Sequence, residues 1–219
     1  MHLWSGSLPE IQKEVDAGSL TGQLVCNFYN HHRCQPSSSE VRSWEKSIQE
    51  LVRSARITGK RDVGVVIEYH LPYSFSRIDA LLFGKNNDGA YSTAIIELKQ
   101  WSDARLPDDD SLNVLVLGQE HTHPSQQALD YANHLQEIQS VMVECDIQPN
   151  PCAFCHNMPK SEKTALDDSR FDDYIQQAPL FKMEDYDNFA TFLDTTIGGG
   201  KGIQLKDRFV NGRFKPNKK

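Results

Sequence analysis

The chain has 219 residues, of which 38% are hydrophobic and 24% charged, with 13 Gly and 10 Pro. This composition is typical of a globular protein and excludes a disordered, collagen-like or fibrous chain. The formal charge of −7 argues against a polyanionic partner, but the charge is uneven, because the segment from Lys201 onward carries +6 and residues 1–200 carry −13. The body of the protein is acidic and its C-terminal tail is basic.

The cysteine count and the N-terminal sequence bear on the compartment. Five cysteines are too few for a disulfide scaffold, and their odd number leaves at least one unpaired. The N-terminus lacks the cationic and apolar regions of a secretory signal, and no run approaches ~18 consecutive apolar residues. We therefore expect a cytoplasmic protein without a membrane partner.

In chain order, residues 1–38 predict a short helical segment followed by a polar connector, NFYNHHRCQPSSS. A serine cap and apolar residues spaced three and four apart then predict an amphipathic helix over 40–56. Runs rich in β-branched and aliphatic residues follow at 63–69, 77–84 and 92–98, separated by turn-rich segments. They predict three consecutive strands.

The second half of the chain alternates between strand and helix patterns. Residues 112–118 predict a fourth short strand, and HPSQQALDYANHLQEIQSVMVE predicts a long helix with Pro124 in its first turn. PCAFCHN (151–157) predicts a further strand, and DYDNFATFLDTTIGGGKG a short helix that ends at linker-like glycines. The order helix, three strands, helix, strand indicates an α/β fold.

Three charged residues in the strand region form a candidate site. Residues i and i+2 of a strand point to one face about 7 Å apart, so Glu97 and Lys99 share a face. If the second and third strands pair as a hairpin, Asp79 lies near Glu97. Two carboxylates beside a lysine suit Mg²⁺ or Mn²⁺ and phosphodiester hydrolysis, although an ion pair at a strand end fits the same spacing.

The combination of RIDALLFG, AIIELKQW and HPSQQALDY resembles the PD-(D/E)XK nuclease superfamily, and its last part is similar to the Gln-x-x-x-Tyr motif of the RecB-type branch. The resemblance implies a restriction-endonuclease-like core over 39–160, between an N-terminal segment with its connector (1–38) and a C-terminal extension with a basic tail (161–219). It departs from the family at Ile78, which stands where the first motif usually has proline.

By this resemblance, Asp79 and Glu97 bind the metal together with the carbonyl of Leu98, and Lys99 is the catalytic lysine. Gln127 and Tyr131 lie four residues apart and therefore share a helical face, from which they would support the site or contact DNA. Further candidates for a supporting or DNA-contacting role are His123, at the positive end of that helix, and two acids described next.

Many family members also use an acidic residue from the first helix. Glu40, Glu45 and Glu50 compete for that role, and Glu45 is favoured because it lies mid-helix beside the apolar stripe. Glu68 is a further candidate, because it closes the first strand near the point where Asp79 opens the second. A salt bridge is an equally good interpretation of either residue.

ELKQW, HPSQQALDYANHL and AFCHN together are similar to the nuclease-like region that precedes a Schlafen-group-3-type DNA/RNA helicase. GGGKGIQL does not fit a P-loop, so this resemblance implies a stand-alone relative or a missing motor domain. The expected function is a metal-dependent deoxyribonuclease in repair or defence that acts on DNA, with RNA as a second candidate substrate and a helicase or ATPase as a candidate partner. The alternative is a non-catalytic nucleic-acid-binding or scaffolding module associated with a helicase.

The CAFCH segment, residues 152–156, allows three other interpretations. It matches the pattern for covalent haem attachment, but that chemistry normally occurs in exported proteins. Its cysteines also have the spacing of zinc ligands and would need partners among Cys26, Cys34, His31 and His32. The third interpretation is that Cys152 and Cys155 are small residues on a buried strand.

Overall fold

A computed structural model describes residues 1–56, 62–109, 111–160 and 164–215; the last residues of the basic tail, 216–219, lie outside this range. Within it the chain is a mixed α/β protein with eight α-helices and eight β-strands, in the order β1 (Trp4–Ser7), α1 (Leu8–Asp16), α2 (Leu20–His32), α3 (Ser38–Arg56), β2 (Gly64–His70), β3 (Arg77–Lys85), β4 (Tyr91–Lys99), β5 (Asn113–Val116), β6 (Gln119–Thr122), α4 (Pro124–Ile138), α5 (Ser140–Glu144), β7 (Gln148–Cys155), α6 (Asp172–Gln177), β8 (Leu180–Lys182), α7 (Tyr186–Ile197) and α8 (Gly202–Val210).

Six strands form one mixed sheet in the order β1-β2-β3-β4-β7-β8. The first four are antiparallel neighbours, whereas β7 runs parallel to both β4 and β8. Parallel neighbours need a long crossover, and here the chain between β4 and β7 includes α4. The three consecutive strands and the strand near residue 151 are confirmed as β2, β3, β4 and β7.

Helices cover both faces of the sheet. Apolar residues of α1, α2, α3 and α7 pack on one face, and those of α4, α5 and α8 pack on the other. The predicted helix over 40–56 is confirmed as α3, whose apolar stripe buries Trp44, Ile48 and Leu51. Among the described residues, no helix combines the length and apolar character needed to cross a lipid bilayer.

Three predicted elements differ from the structure. The polar connector is wrong over its first half, because α2 continues to His32 and buries Leu24 and Phe28. The strand predicted at 112–118 pairs with β6 in a separate two-stranded hairpin. The long helix after Pro124 breaks at Gln139, whose buried side chain donates to the carbonyl of Phe209.

The GGGKG run is a packing contact and not a linker. A Cβ built on Gly202 would lie 1.9 Å from the carbonyl oxygen of Phe83 and 2.6 Å from the amide nitrogen of Gly64. Helix α8 therefore approaches β2 and β3 backbone to backbone, which only glycine permits.

The sheet contains strands from the core and from both terminal segments, since β1 and β8 form its edges.

Candidate functional site

The sheet forks between β3 and β4 at the end that carries the predicted site. The two strands pair only as far as Ala80 and Ile96. Beyond that pair, β3 continues beside β2 to Arg77, while β4 continues beside β7 to Lys99. Asp79 lies in the fork, where its Oδ2 accepts a hydrogen bond of 2.7 Å from the main-chain N–H of Leu98. Asp79 lines a small cavity against α3, whereas Lys99 lines a cleft against α4, and the charges of Asp79, Glu97 and Lys99 are close enough to shift one another's pKa.

Glu97 and Lys99 form a buried ion pair on β4. Lys99 Nζ lies 2.6 Å from Oε1 of Glu97, which is 2% exposed. The other carboxylate oxygen, Oε2, is buried and has no hydrogen-bond donor among the described residues. A buried acceptor without a partner is costly, and such atoms in a folded protein call for an explanation such as an ion or a water molecule.

The carboxyls of the site have raised pKa values. Burial raises the pKa of Glu97 to about 8, and the charge of Asp79 adds to the effect while Lys99 opposes it. The pKa of Asp79 is also raised, chiefly by burial. Burial lowers the pKa of Lys99, but the charges of Glu97 and Asp79 outweigh it and raise that pKa overall. Lys99 therefore stays protonated at neutral pH.

Glu68 lies at the strand position between the Ile67–Ala80 and Tyr69–Ile78 pairs. Its φ of 53° is left-handed, a conformation that is strained for a residue with a side chain. Its carboxylate is 3.2 Å from Arg77, so the salt-bridge interpretation of Glu68 holds. Burial, and after it the charge of Asp79, nevertheless raise the pKa of Glu68 to about 8, and the charge of Arg77 opposes them only in part.

A cavity of about 20 Å³ lies between α3 and the fork, lined by Trp44, Glu68, Asp79 and Leu98 among others. This volume suffices for a single water molecule or a small ion. Trp44, assigned from the sequence to the apolar stripe alone, also lowers the pKa of Glu68 through its indole N–H. The cavity therefore has a polar end at the two acids.

A larger cleft, of about 630 Å³, opens on the other side of Lys99 and is lined by Gln127, Tyr131 and His134 of α4. The predicted shared face of Gln127 and Tyr131 is confirmed, because the Gln127 amide donates to the Tyr131 hydroxyl at 2.5 Å. Burial, and then the charge of Glu97, raise the pKa of the Tyr131 phenol. The phenol therefore keeps its proton and can donate a hydrogen bond to a group in the cleft.

Two predicted positions lie away from the site. Glu45 is exposed on α3 and lines a separate pocket with Glu14 and Gln49, so the structure lends the preference for Glu45 no support. Of its competitors, Glu50 accepts a hydrogen bond from Tyr186, and Glu40 bonds to Arg77 at 2.7 Å. The apolar periodicity placed these acids on one helix, but it did not show which neighbouring segment each carboxylate would contact.

His123 does not contact nucleic acid, because it is 0% exposed. It is the N-cap of α4: Nδ1 accepts from the amide of Ser125, and Nε2 lies 3.3 Å from the carbonyl of Leu166. Its ring stacks on Phe171, and burial lowers its pKa to about 4, so that it is neutral at pH 7. The residue holds the helix that carries Gln127 and Tyr131.

Arg77 belongs to the site and was missed in the sequence. Its guanidinium contacts Glu40 and Glu68 and lies over the ring of Phe28. The signal for it was its position two residues before Asp79 on one strand, the same spacing that linked Glu97 to Lys99. Arg77 thus ties α2 and α3 to the acidic end of β2.

The CAFCH cysteines are buried structural residues. Cys152 and Cys155 are both unpaired and 0% exposed on β7, and burial raises the pKa of the Cys155 thiol to about 12. Cys26 and Cys34 are exposed elsewhere. In the described part of the chain, no group of three or more His, Cys, Asp or Glu side chains is arranged to hold a metal ion. The zinc interpretation therefore finds no support.

A hard cation at the fork would depend on a smaller donor set. Asp79 and Glu97 supply two carboxylates, and the main chain of Leu98 supplies a carbonyl, so oxygen is the only donor type, as Mg²⁺ and Mn²⁺ prefer. The unpartnered Oε2 of Glu97 fits a divalent cation at this position.

No protein-family model, curated protein or solved structure matches the chain.

Proposed function

We propose that the protein is a metal-dependent nuclease that hydrolyses phosphodiester bonds in DNA, with a restriction-endonuclease-like core of the PD-(D/E)XK type. The observation that carries the proposal is the fork itself, where the buried carboxylate of Glu97 lies 2.6 Å from the ammonium of Lys99 and the partly buried carboxylate of Asp79 lies on the diverging strand. The order α3, β2, β3, β4, α4, β7 supports the same family resemblance. A helicase or ATPase partner belongs to this proposal.

Asp79, Glu97 and the Leu98 carbonyl would hold Mg²⁺ or Mn²⁺. When bound, such an ion polarises a phosphate and lowers the pKa of its water ligand. Oδ2 of Asp79 is occupied by the Leu98 amide, so Oδ1 of Asp79 and Oε2 of Glu97 are the acidic oxygens left for a ligand. The hydrogen bond from the Leu98 amide fixes the Asp79 carboxylate before any ligand binds.

Lys99 serves as a cationic donor and not as a base, because its pKa is raised and its amine stays charged. It orients the attacking water or stabilises the negative charge that develops on the phosphate. Tyr131 adds a second donor, since Gln127 donates to its oxygen and leaves the phenol proton free. Both donors line the same cleft.

The test is incubation of the purified protein with linear, circular and single-stranded DNA in Mg²⁺, Mn²⁺ or EDTA. We expect metal-dependent cleavage that falls by about 100-fold or more in Lys99→Ala and Glu97→Gln, the scale of losing one electrostatic donor or ligand. Glu45→Gln is the matched control, because it removes an exposed acid away from the fork. Undiminished cleavage by Lys99→Ala would contradict the proposal, and Mn²⁺ binding without cleavage would favour the non-catalytic module.

A further inference from the structure

The connection between β2 and β3, residues 71–76, presents two aromatic rings to solvent; we call it the aromatic loop. Phe75 is 108% exposed and Tyr73 is 65% exposed. A single exposed apolar side chain is common on protein surfaces, but neighbouring exposed rings mark surfaces that bind something. The aromatic loop therefore needs a partner that covers its rings.

The aromatic loop is a structured turn. The amide of Leu71 donates to Ser76 at 3.1 Å, and that of Ser74 donates back to Leu71 at 3.3 Å. Nε2 of His134, on α4, lies 3.0 Å from the carbonyl of Pro72. Tyr73 has a left-handed φ of 59°, which persists only where the surrounding contacts hold it. The rings are thus held outward at little entropic cost to a ligand.

The aromatic loop stands at the mouth of the cleft that leads to Lys99. Leu71, Ser74 and Ser76 line the cleft. Tyr73 and Phe75 alternate with these lining residues along the loop. Strand β6 lines the cleft as well.

Base exposure decides which nucleic acid fits the aromatic loop. Duplex and single strand carry the same kind of backbone charge, so the acidic Glu120 and Asp130 of the cleft walls do not distinguish them. Duplex DNA hides its base faces inside the helix. An unpaired strand offers base faces, and each base stacked on an aromatic ring contributes substantially to affinity.

We infer that the aromatic loop is a base-stacking platform for single-stranded nucleic acid, and that the strand it binds is the substrate of the cleft; this second statement rests on the proposed nuclease function. Phe75 stacks a base at the mouth, and the strand continues past Tyr73 toward Lys99. Stacking supplies affinity for any base, while the phosphates of the strand make its binding depend on salt.

The experiment measures binding by fluorescence anisotropy in EDTA, with labelled oligo-dT, oligo-rU and a blunt DNA duplex, on the Glu97→Gln background so that no cleavage intervenes. We expect single strands to bind more tightly than the duplex. Phe75→Ala should weaken that binding by about fivefold or more, and Phe75→Trp should restore it. Tyr29→Ala, which removes a 46% exposed aromatic ring on α2, is the control and should change nothing. The two single strands separate DNA from RNA preference.

Unchanged affinity in Phe75→Ala, absence of binding to every oligonucleotide, or equal losses for duplex and single strand would each overturn the inference. These outcomes differ from failure of the proposed function. Phe75-dependent binding of single strands without cleavage in any metal would remove the nuclease and leave the platform. Lys99-dependent cleavage that Phe75→Ala does not affect, on single strands and duplex alike, would remove the platform and leave the nuclease.

Discussion

Asp79 and Leu98 are joined across the fork of the sheet, where Oδ2 of Asp79 accepts a hydrogen bond of 2.7 Å from the Leu98 amide. This hydrogen bond follows directly after the last backbone-paired residues of β3 and β4, so a side chain joins the two strands where their backbone pairing ends. Asp79 is therefore both an acceptor for a buried donor and a negative charge for a cation. Substitutions can separate these two roles.

Asp79→Ala should lower the free energy of unfolding by about 1–3 kcal/mol, because it leaves the Leu98 amide without an acceptor. Asp79→Asn should cost less, since its amide oxygen can accept the same bond, yet both variants should lose metal-dependent cleavage. Urea denaturation and a cleavage assay on the two proteins check this. Equal stability of the alanine and asparagine variants would show that the bond does not support the fold.

Glu97→Gln should stabilise the metal-free protein at pH 7–8. The pKa of Glu97 is raised from 4.5 to about 8, so the folded state holds a proton that the unfolded state releases. Its contribution to stability is complete below about pH 4.5 and is lost as the pH rises through 8. We expect a melting temperature a few degrees higher for the glutamine variant at pH 8 and little difference at pH 4.5, measured in EDTA. A lower melting temperature for the variant at pH 8 would contradict this sign.

Mn²⁺ and Mg²⁺ should raise the melting temperature of the wild-type protein at pH 8. A ligand that binds only the folded state adds about 2.7 kcal/mol at 100 times its dissociation constant. Glu97→Gln should remove most of the shift, whereas Glu45→Gln should keep it. The measurement is differential scanning fluorimetry over a metal titration. A shift that survives in Glu97→Gln would place the cation elsewhere.

Gly202→Ala should destabilise the protein by about 1–3 kcal/mol, the usual cost of overpacking, because its Cβ would lie 1.9 Å from the Phe83 carbonyl. Gly22→Ala is the matched control. It lies in α2 with nothing within 4 Å of the added methyl group, so the change should stabilise the helix by up to about 1 kcal/mol. Chemical denaturation measures both. Similar effects for the two substitutions would refute the close approach of α8 to the sheet.

Much of the fold followed from periodicity. The stripe of Trp44, Ile48 and Leu51 predicted α3, and the aliphatic runs predicted the central strands. Such patterns stabilise a fold only when the apolar face is buried. The proximity of Asp79 and Glu97 followed from a single assumption, the hairpin of β3 and β4. These features depend on local spacing, which the sequence displays directly.

The remaining features depend on contacts between distant segments. The fork arises because β3 keeps β2 and β4 keeps β7 as partners beyond Ala80, a matter of register that composition does not encode. The left-handed backbone of Glu68 and the close approach of Gly202 are likewise set by neighbours far along the chain. Polar residues misled at the end of α2, where the stretch that begins at Asn27 contains the buried ring of Phe28.

The N-cap residue His123 connects the C-terminal part of the chain to the helix that lines the cleft. Its ring stacks 4.3 Å from Phe171 and reaches the carbonyl of Leu166, 43 residues downstream. Gln127 and Tyr131 follow one and two turns later on the helix that His123 begins. The axial rotation of that helix, and with it the aim of both side chains, is therefore set by a segment that never lines the cleft. Substitutions in residues 164–171 can therefore alter the orientation of Gln127 and Tyr131 without changing a residue that lines the cleft.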